Sequence, residues 1–239
     1  MVSQDSGLSN DRKIAIVTGA SGNLGRAVIK KFISEGYFVI GTTLPNEQVP
    51  DYPKNSFESV SVDLLNEDDS KKFIESMVLA YGRVDVAVLT VGGFATGRIT
   101  ETKTSDITRQ YKLNFETAYN IARPSFVQML NQNKGRIFII GSRPGLDARS
   151  GKGMIAYSLA KSLIFRLAEL LNDEAKGQNV VTSIIVPSTI DTETNRKAIP
   201  DGDFSNWVKA EQIADVIYYY STDAASALRE PVIKVYNNA

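Results

Sequence analysis

Apolar residues follow two alternating rhythms along this chain. Short, nearly continuous apolar runs give way to longer stretches in which apolar positions recur every three or four residues. Ile14-Ala15-Ile16-Val17 is the first run. Behind it Leu24, Ala27, Val28, Phe32 and Ile33 share one helical face, and Gly36 closes that helix. The same alternation predicts strands over Tyr37–Thr43, Phe57–Val62, Val84–Leu89, Arg136–Ile140, Val180–Val186 and Pro231–Tyr236. A second helix starts at Asn66-Glu67-Asp68-Asp69, with a cap and acids in its first turn, and buries Phe73, Ile74, Met77 and Val78. A long helix is expected over Asp106–Asn131, kinked just before Pro124. Another opens at Tyr157 with Leu159, Leu163, Ile164, Leu167, Leu170 and Leu171 at helical spacing, and a last one covers Ala210–Tyr220. Strands that are apolar throughout belong in a parallel sheet covered on both faces. The expected fold is α/β: a single-domain, Rossmann-type, doubly wound parallel sheet flanked by helices, over residues 13–239.

Composition removes several chemistries. The 239 residues are 43% apolar, enough for a substantial core, and no run reaches the length of a membrane span. Lys plus Arg and Asp plus Glu balance at 27 each, so no electrostatic drive toward nucleic acid or an anionic membrane is expected. The absence of Cys and His excludes disulfides, thiol catalysis, soft metal sites and a Ser-His-Asp triad, so no metal ligands are assigned. Residues 1–12 are polar and lack the apolar centre of a signal peptide. They are expected to form a disordered tail on a cytoplasmic protein.

An acid or base must then come from elsewhere, and Tyr157-Ser158-Leu159-Ala160-Lys161 offers one. On a helix, positions i and i+4 lie one above the other, so the phenol and the ammonium address one spot. A nearby cation favours the phenolate and lowers its pKa from about 10. Upstream, Thr18-Gly19-Ala20-Ser21-Gly22-Asn23-Leu24-Gly25 links the first strand to the first helix. That context suits a dinucleotide: glycines let the backbone approach a pyrophosphate, and the helix N-terminus supplies N–H groups and a positive dipole end. The second strand ends Gly41-Thr42-Thr43-Leu44, with no acid until Glu47 to accept from a ribose 2′-hydroxyl. The hydroxyls of Thr42 and Thr43 suit a 2′-phosphate instead, which favours NADP(H) over NAD(H).

The glycine turn, Asn114, Ser142, Tyr157 and Lys161, in this order, resemble the short-chain dehydrogenase/reductase family from Lys13 onward. The resemblance implies hydride transfer between a nicotinamide and a carbonyl or alcohol carbon. Tyr157 would be the acid/base, and Ser142 would hold the substrate oxygen. Lys161 would lower the tyrosine pKa and hold the nicotinamide ribose, and Asn114 would support a water-linked relay. It also implies that Asp63 and Leu64, Val91, Gly92 and Gly93, and Pro187, Thr189, Ile190 and Thr192 lie along the cofactor, with Asp63 by the adenine and Thr192 near the carboxamide. A small-molecule substrate and a homodimer or homotetramer are the expected partners.

Four places depart from the family pattern. Asn23 replaces the middle glycine of the turn, where its tolerance of left-handed backbone would preserve the geometry. Leu89-Thr90-Val91-Gly92 replaces N-N-A-G, Pro187-Ser188 replaces Pro-Gly, and the gap from Ser142 to Tyr157 is longer than usual. Val91-Gly92-Gly93-Phe94, Gly153 to Tyr157, Asp191 to Lys197 and Pro200 to Trp207 resemble the quinonoid dihydropteridine reductase branch, in which Trp commonly stands where this chain has Phe94. A general carbonyl reductase and a pterin-type reductase are both open on this reading. So is a nucleotide-binding sensor that keeps the fold without chemistry. Ser188 to Trp207 is expected to be a polar, mobile substrate lid.

Overall fold

The structure is a computed structural model that describes residues 12–229 and 231–238. Seven strands pair in parallel throughout, in the order β3-β2-β1-β4-β5-β6-β7. They are β1 Ile14–Thr18, β2 Phe38–Thr43, β3 Phe57–Ser61, β4 Val86–Leu89, β5 Lys134–Ile140, β6 Asn179–Pro187 and β7 Val232–Val235. The helices are α1 Asn23–Ser34, α2 Glu67–Tyr81, α3 Thr104–Tyr111, α4 Thr117–Asn131, α5 Arg143–Leu146, α6 Ile155–Glu174, α7 Glu193–Ala198 and α8 Ala210–Ser221. Strand order reverses between β1 and β4. In open sheets of this kind, ligands bind outside the carboxyl ends of the strands at that reversal.

Successive residues of each buried strand serve opposite faces, because a strand has a side-chain period of two. Ile14 and Ile16 join Phe73, Met77, Ile121, Met129, Ile164 and Leu167 in the core under α2, α4 and α6. Ala15 and Val17 join Val28, Phe32, Ile213 and Ile217 in the core under α1 and α8. This two-sided burial is why the strands read as continuous apolar runs.

Strand ends move by a residue or two from the expected positions. Val84 and Asp85 precede β4 because the buried Asp85 carboxylate turns back to the sheet, accepting from Ile14 N–H at 2.8 Å and from Arg83 at 2.6 and 2.8 Å. The expected long helix is α3 and α4, joined by a wide π-type turn over Lys112–Glu116. α4 continues through Pro124, so the break in α geometry falls at Asn114 instead of before the proline. The expected tail lies outside the described residues apart from Arg12, whose guanidinium donates to the carbonyls of Gly36, Tyr37 and Asn55 and to Ser56 Oγ.

Phe32 is fully buried and meets Tyr37 edge-on at 4.9 Å and Tyr218 at 5.8 Å, tying α1 to β2 and α8. Phe32→Ala should cost about 3–5 kcal/mol, measured by urea unfolding. A loss below about 1 kcal/mol would mean that the site collapses freely around the missing ring.

Candidate functional site

The carboxyl ends of β1, β2 and β4 open on a cavity of about 360 Å³. It is lined by Gly19, Ser21, Gly22, Asn23, Leu24 and Gly25 of the glycine turn, by Thr42 and Thr43, by Asp63 and Leu64, and by Val91 and Gly92. Two glycines shape it for physical reasons. Gly19 has φ +68°, a left-handed conformation that side chains disfavour, and a Cβ on Gly25 would lie 2.1 Å from Gly19 O. Asn23 is different. It is the first residue of α1 and is not left-handed, so its presumed tolerance of that conformation is not used. α1 starts without a side-chain cap and without an acid in its first turn, leaving its end positive and its N–H groups directed at the cavity mouth.

β1 and β4 are tied at the reversal by two threonines. Thr90 N–H donates to Thr18 Oγ1 at 3.1 Å, and Thr90 Oγ1 donates to Thr18 O at 2.6 Å. The side-chain amides expected of the family pattern are thereby replaced by a hydroxyl pair.

Tyr157 and Lys161 lie on the first turns of α6, as their spacing predicts. Ser142 lies beside the Tyr157 phenol, close enough for its hydroxyl to act on the phenol's ionisation. The longer segment between them does not pull Ser142 away, because it folds into α5 and a 3-10 turn over Ala148–Gly151. A Cβ on Gly145 would lie 2.7 Å from Lys161 Cβ, so α5 rests directly on α6. Gly145 N–H also donates to Ser142 Oγ at 3.2 Å.

The electrostatics differ from the expected arrangement. Burial raises the Tyr157 pKa above its ordinary 10.0, and the neighbouring Ser142 hydroxyl opposes the rise. The Lys161 Nζ donates to Ile140 O at 2.7 Å. Lys161 is 4% exposed, and desolvation lowers its pKa from 10.5 to about 8.

Asn114 is fully buried in the wide turn. Its Oδ1 accepts from Gly93 N–H at 3.0 Å, and its Nδ2 donates to Gly93 O and to Gln110 Oε1, both at 2.9 Å. A Cβ on Gly92 would lie 2.7 Å from Asn114 Oδ1 and 3.2 Å from Lys161 Nζ, so these three residues converge. Phe94, 65% exposed, meets Tyr157 edge-on at 5.2 Å. A short parallel bridge pairs Gly97 with Met154, with Gly97 N–H donating to Gly153 O at 2.7 Å and Ile155 N–H to Gly97 O at 3.2 Å.

Pro187, Thr189, Ile190 and Thr192 do not line the cavity. Pro187 ends β6 and the other three follow it, where Val208 N–H donates to Thr189 O and Ile190 bridges Val208. Thr192 Oγ1 caps α7, accepting from Asn195 N–H at 3.1 Å. The expected loop to Trp207 thus contains a helix, with Trp207 buried at its far end against Phe204. Residues absent from the sequence expectations also line the cavity, chief among them Leu44, Glu47, Thr90 and Leu113.

A doubly wound sheet with a glycine-lined cavity at its reversal, and a Tyr–Lys helix beside it, defines a nicotinamide-dependent oxidoreductase. The chain belongs to the short-chain dehydrogenase family, whose model matches residues 13–202. It is 27% identical to an acetoacetyl-CoA reductase of an Acinetobacter species over 186 residues, covering 74% of each chain. It is 28% identical to a dihydropteridine reductase of Dictyostelium discoideum over 218 residues, covering 90% of each. Among solved structures, ElxO with NADP bound shares the fold with a TM-score of 0.86 at 23% identity, over 94% of this chain and 97% of that one. No helix among the described residues is long and apolar enough to cross a membrane.

The lowered Lys161 pKa makes a signed prediction. Between about pH 8 and 10.5 the unfolded chain binds a proton that the folded one lacks, so stability from this group rises with pH across that window. Below it the burial cost is fully present. Lys161→Met removes the titration, so its stability relative to wild type should fall by about 2 kcal/mol from pH 7 to pH 9.5. Urea unfolding of both proteins at the two pH values checks this; a difference independent of pH would contradict it.

Proposed function

We propose that this protein reduces a small carbonyl compound with NADP(H), with Tyr157 donating the proton. The observation that carries the reading is the approach of Tyr157, Ser142 and a buried ammonium to the edge of a glycine-lined cavity, where Gly92 packs against Lys161 Nζ. The cavity fits a dinucleotide because glycines leave its backbone wall free of side chains, with Gly25 packed against Gly19 O and Gly92 against Asn114 and Lys161, and α1 offers unused N–H donors beside it. When bound, the dinucleotide supplies the hydride.

Burial keeps the Tyr157 phenol protonated at neutral pH, the state needed to donate to an oxygen that gains negative charge. Ser142 holds the same oxygen, oriented by Gly145 N–H. Lys161 has three N–H groups and gives one to Ile140 O; the others would hold the nicotinamide ribose. The Asn114 amide is engaged by Gly93 and Gln110, so Asn114 acts as a positioning residue and any relay water is held through its backbone. Thr42, Thr43, Ser21 and Leu44 N–H are the neutral donors for a 2′-phosphate.

A second reading, reduction of a quinonoid pterin, is supported by Phe94, which offers an exposed aromatic face edge-on to Tyr157. A panel of ketones and quinonoid pterins, each with NADH and NADPH, separates the two. Under either reading, Tyr157→Phe should lower turnover by at least about 100-fold while leaving cofactor affinity within about threefold. Retention of more than about a tenth of the rate would remove Tyr157 from the acid/base role.

Self-association is supported by apolar residues left exposed on neighbouring helices: Leu159, Leu163 and Leu170 on α6, and Tyr111 and Tyr119 on α3 and α4. Tyr111, Phe115 and Tyr119 form a ring ladder at 5.3 and 6.0 Å. A second copy of the chain would bury this face. Leu163→Lys should shift the mass measured by light scattering toward the monomer; an unchanged mass would locate the interface elsewhere.

A further inference from the structure

Glu47 lies beyond the end of β2, yet the chain carries it back to the cavity. Leu44-Pro45-Asn46-Glu47 is a tight turn with Pro45 at its second position and Asn46 left-handed at its third (φ 67°), closed by Glu47 N–H donating to Leu44 O at 3.2 Å. That is the residue pattern of a type II turn. Glu47 Oε2 accepts from Leu44 N–H at 2.9 Å and from Ser21 Oγ at 2.8 Å. One carboxylate oxygen therefore joins the glycine turn to the end of β2, where folds of this class recognise the adenosine ribose.

We propose that Glu47 is a tethered anion that competes with the 2′-phosphate of the dinucleotide for Ser21 Oγ and Leu44 N–H, and so sets how far the protein distinguishes NADPH from NADH. The inference rests on the dinucleotide reading above. A hydroxyl and a backbone N–H converging on one oxygen are donors suited to a phosphate, and Glu47 already holds both. Two anions do not share these donors, so NADPH binds only after the carboxylate releases them. Glu47 is exposed, so it can swing into water. No ion pair holds it among the described residues, and the nearby Arg26 donates instead to Gln48 O at 3.4 Å. The ribose of NADH carries a hydroxyl at the same position, which can donate to the carboxylate where it stands. A residue that merely closed the turn would treat the two dinucleotides alike.

The test is calorimetric titration of wild type, Glu47→Ala and Glu47→Gln with NADPH, NADH, adenosine 2′,5′-bisphosphate and 5′-AMP at fixed ionic strength. Both variants should bind NADPH and the bisphosphate about tenfold or more tighter than wild type, with NADH and 5′-AMP unchanged or up to about threefold weaker. Ser21→Ala should weaken NADPH binding in the Glu47→Ala background and be nearly silent in wild type. Equal shifts for phosphorylated and unphosphorylated ligands, or no gain for NADPH, would overturn the proposal while leaving the dinucleotide reading intact. Failure of all three proteins to bind either dinucleotide would overturn both. Circular dichroism establishes that each variant is folded, and Glu47→Gln keeps the side-chain shape should Glu47→Ala lose it.

Discussion

The carboxyl edge of the sheet depends on one buried ammonium. An unpaired charge in an apolar interior is costly, so Lys161 must find an acceptor, and the carbonyl at the end of β5 supplies it. That bond fixes α6 against the sheet just before the chain turns into Ser142. It also sets the height of Tyr157 above the strand ends. The residues packed around it are small of necessity: Gly145 lets α5 rest on the lysine backbone, and Gly92 leaves room for Asn114 and the ammonium together. The helix, the sheet and two loops therefore take their positions from a single donor and its acceptor.

Much of this was legible in the chain. Strands buried on two faces announce themselves as unbroken apolar runs, and Gly19 and Gly25 sit where a side chain would be strained or obstructed. What stayed hidden depends on contacts distant in sequence. Asn114 takes a wide turn because its amide reaches Gly93, a demand that Pro124 does not signal. The Tyr157 pKa follows burial, which spacing does not reveal, and Lys161 Nζ is bonded to the end of β5, a contact its spacing from Tyr157 does not signal. Glu47 looked too distant from β2 to matter when residues were counted along the chain. Pro45 and Asn46 in fact reverse the backbone and return the carboxylate to its own strand end.

The departures from the family pattern share a logic. In three of the four places the same geometric demand is met in another way. Thr90 and Thr18 exchange two hydrogen bonds where amides are usual. Asn23 is accommodated because its position is helical. The added length before Tyr157 is absorbed by α5 and a 3-10 turn, which restore the approach of Ser142. Motif letters are thus looser than the shape they encode.

The pairing of Gly97 with Met154 links two loops that a substrate would meet separately. The loop after β4, which carries Phe94, and the entry to α6, which carries Tyr157, are hydrogen-bonded as one body. Residues that share such a bond are energetically coupled, so changes on the two loops will not add. For this enzyme, substrate range becomes an epistatic trait: a replacement near Phe94 is felt at Met154, and divergence toward a new substrate requires the two loops to drift in concert.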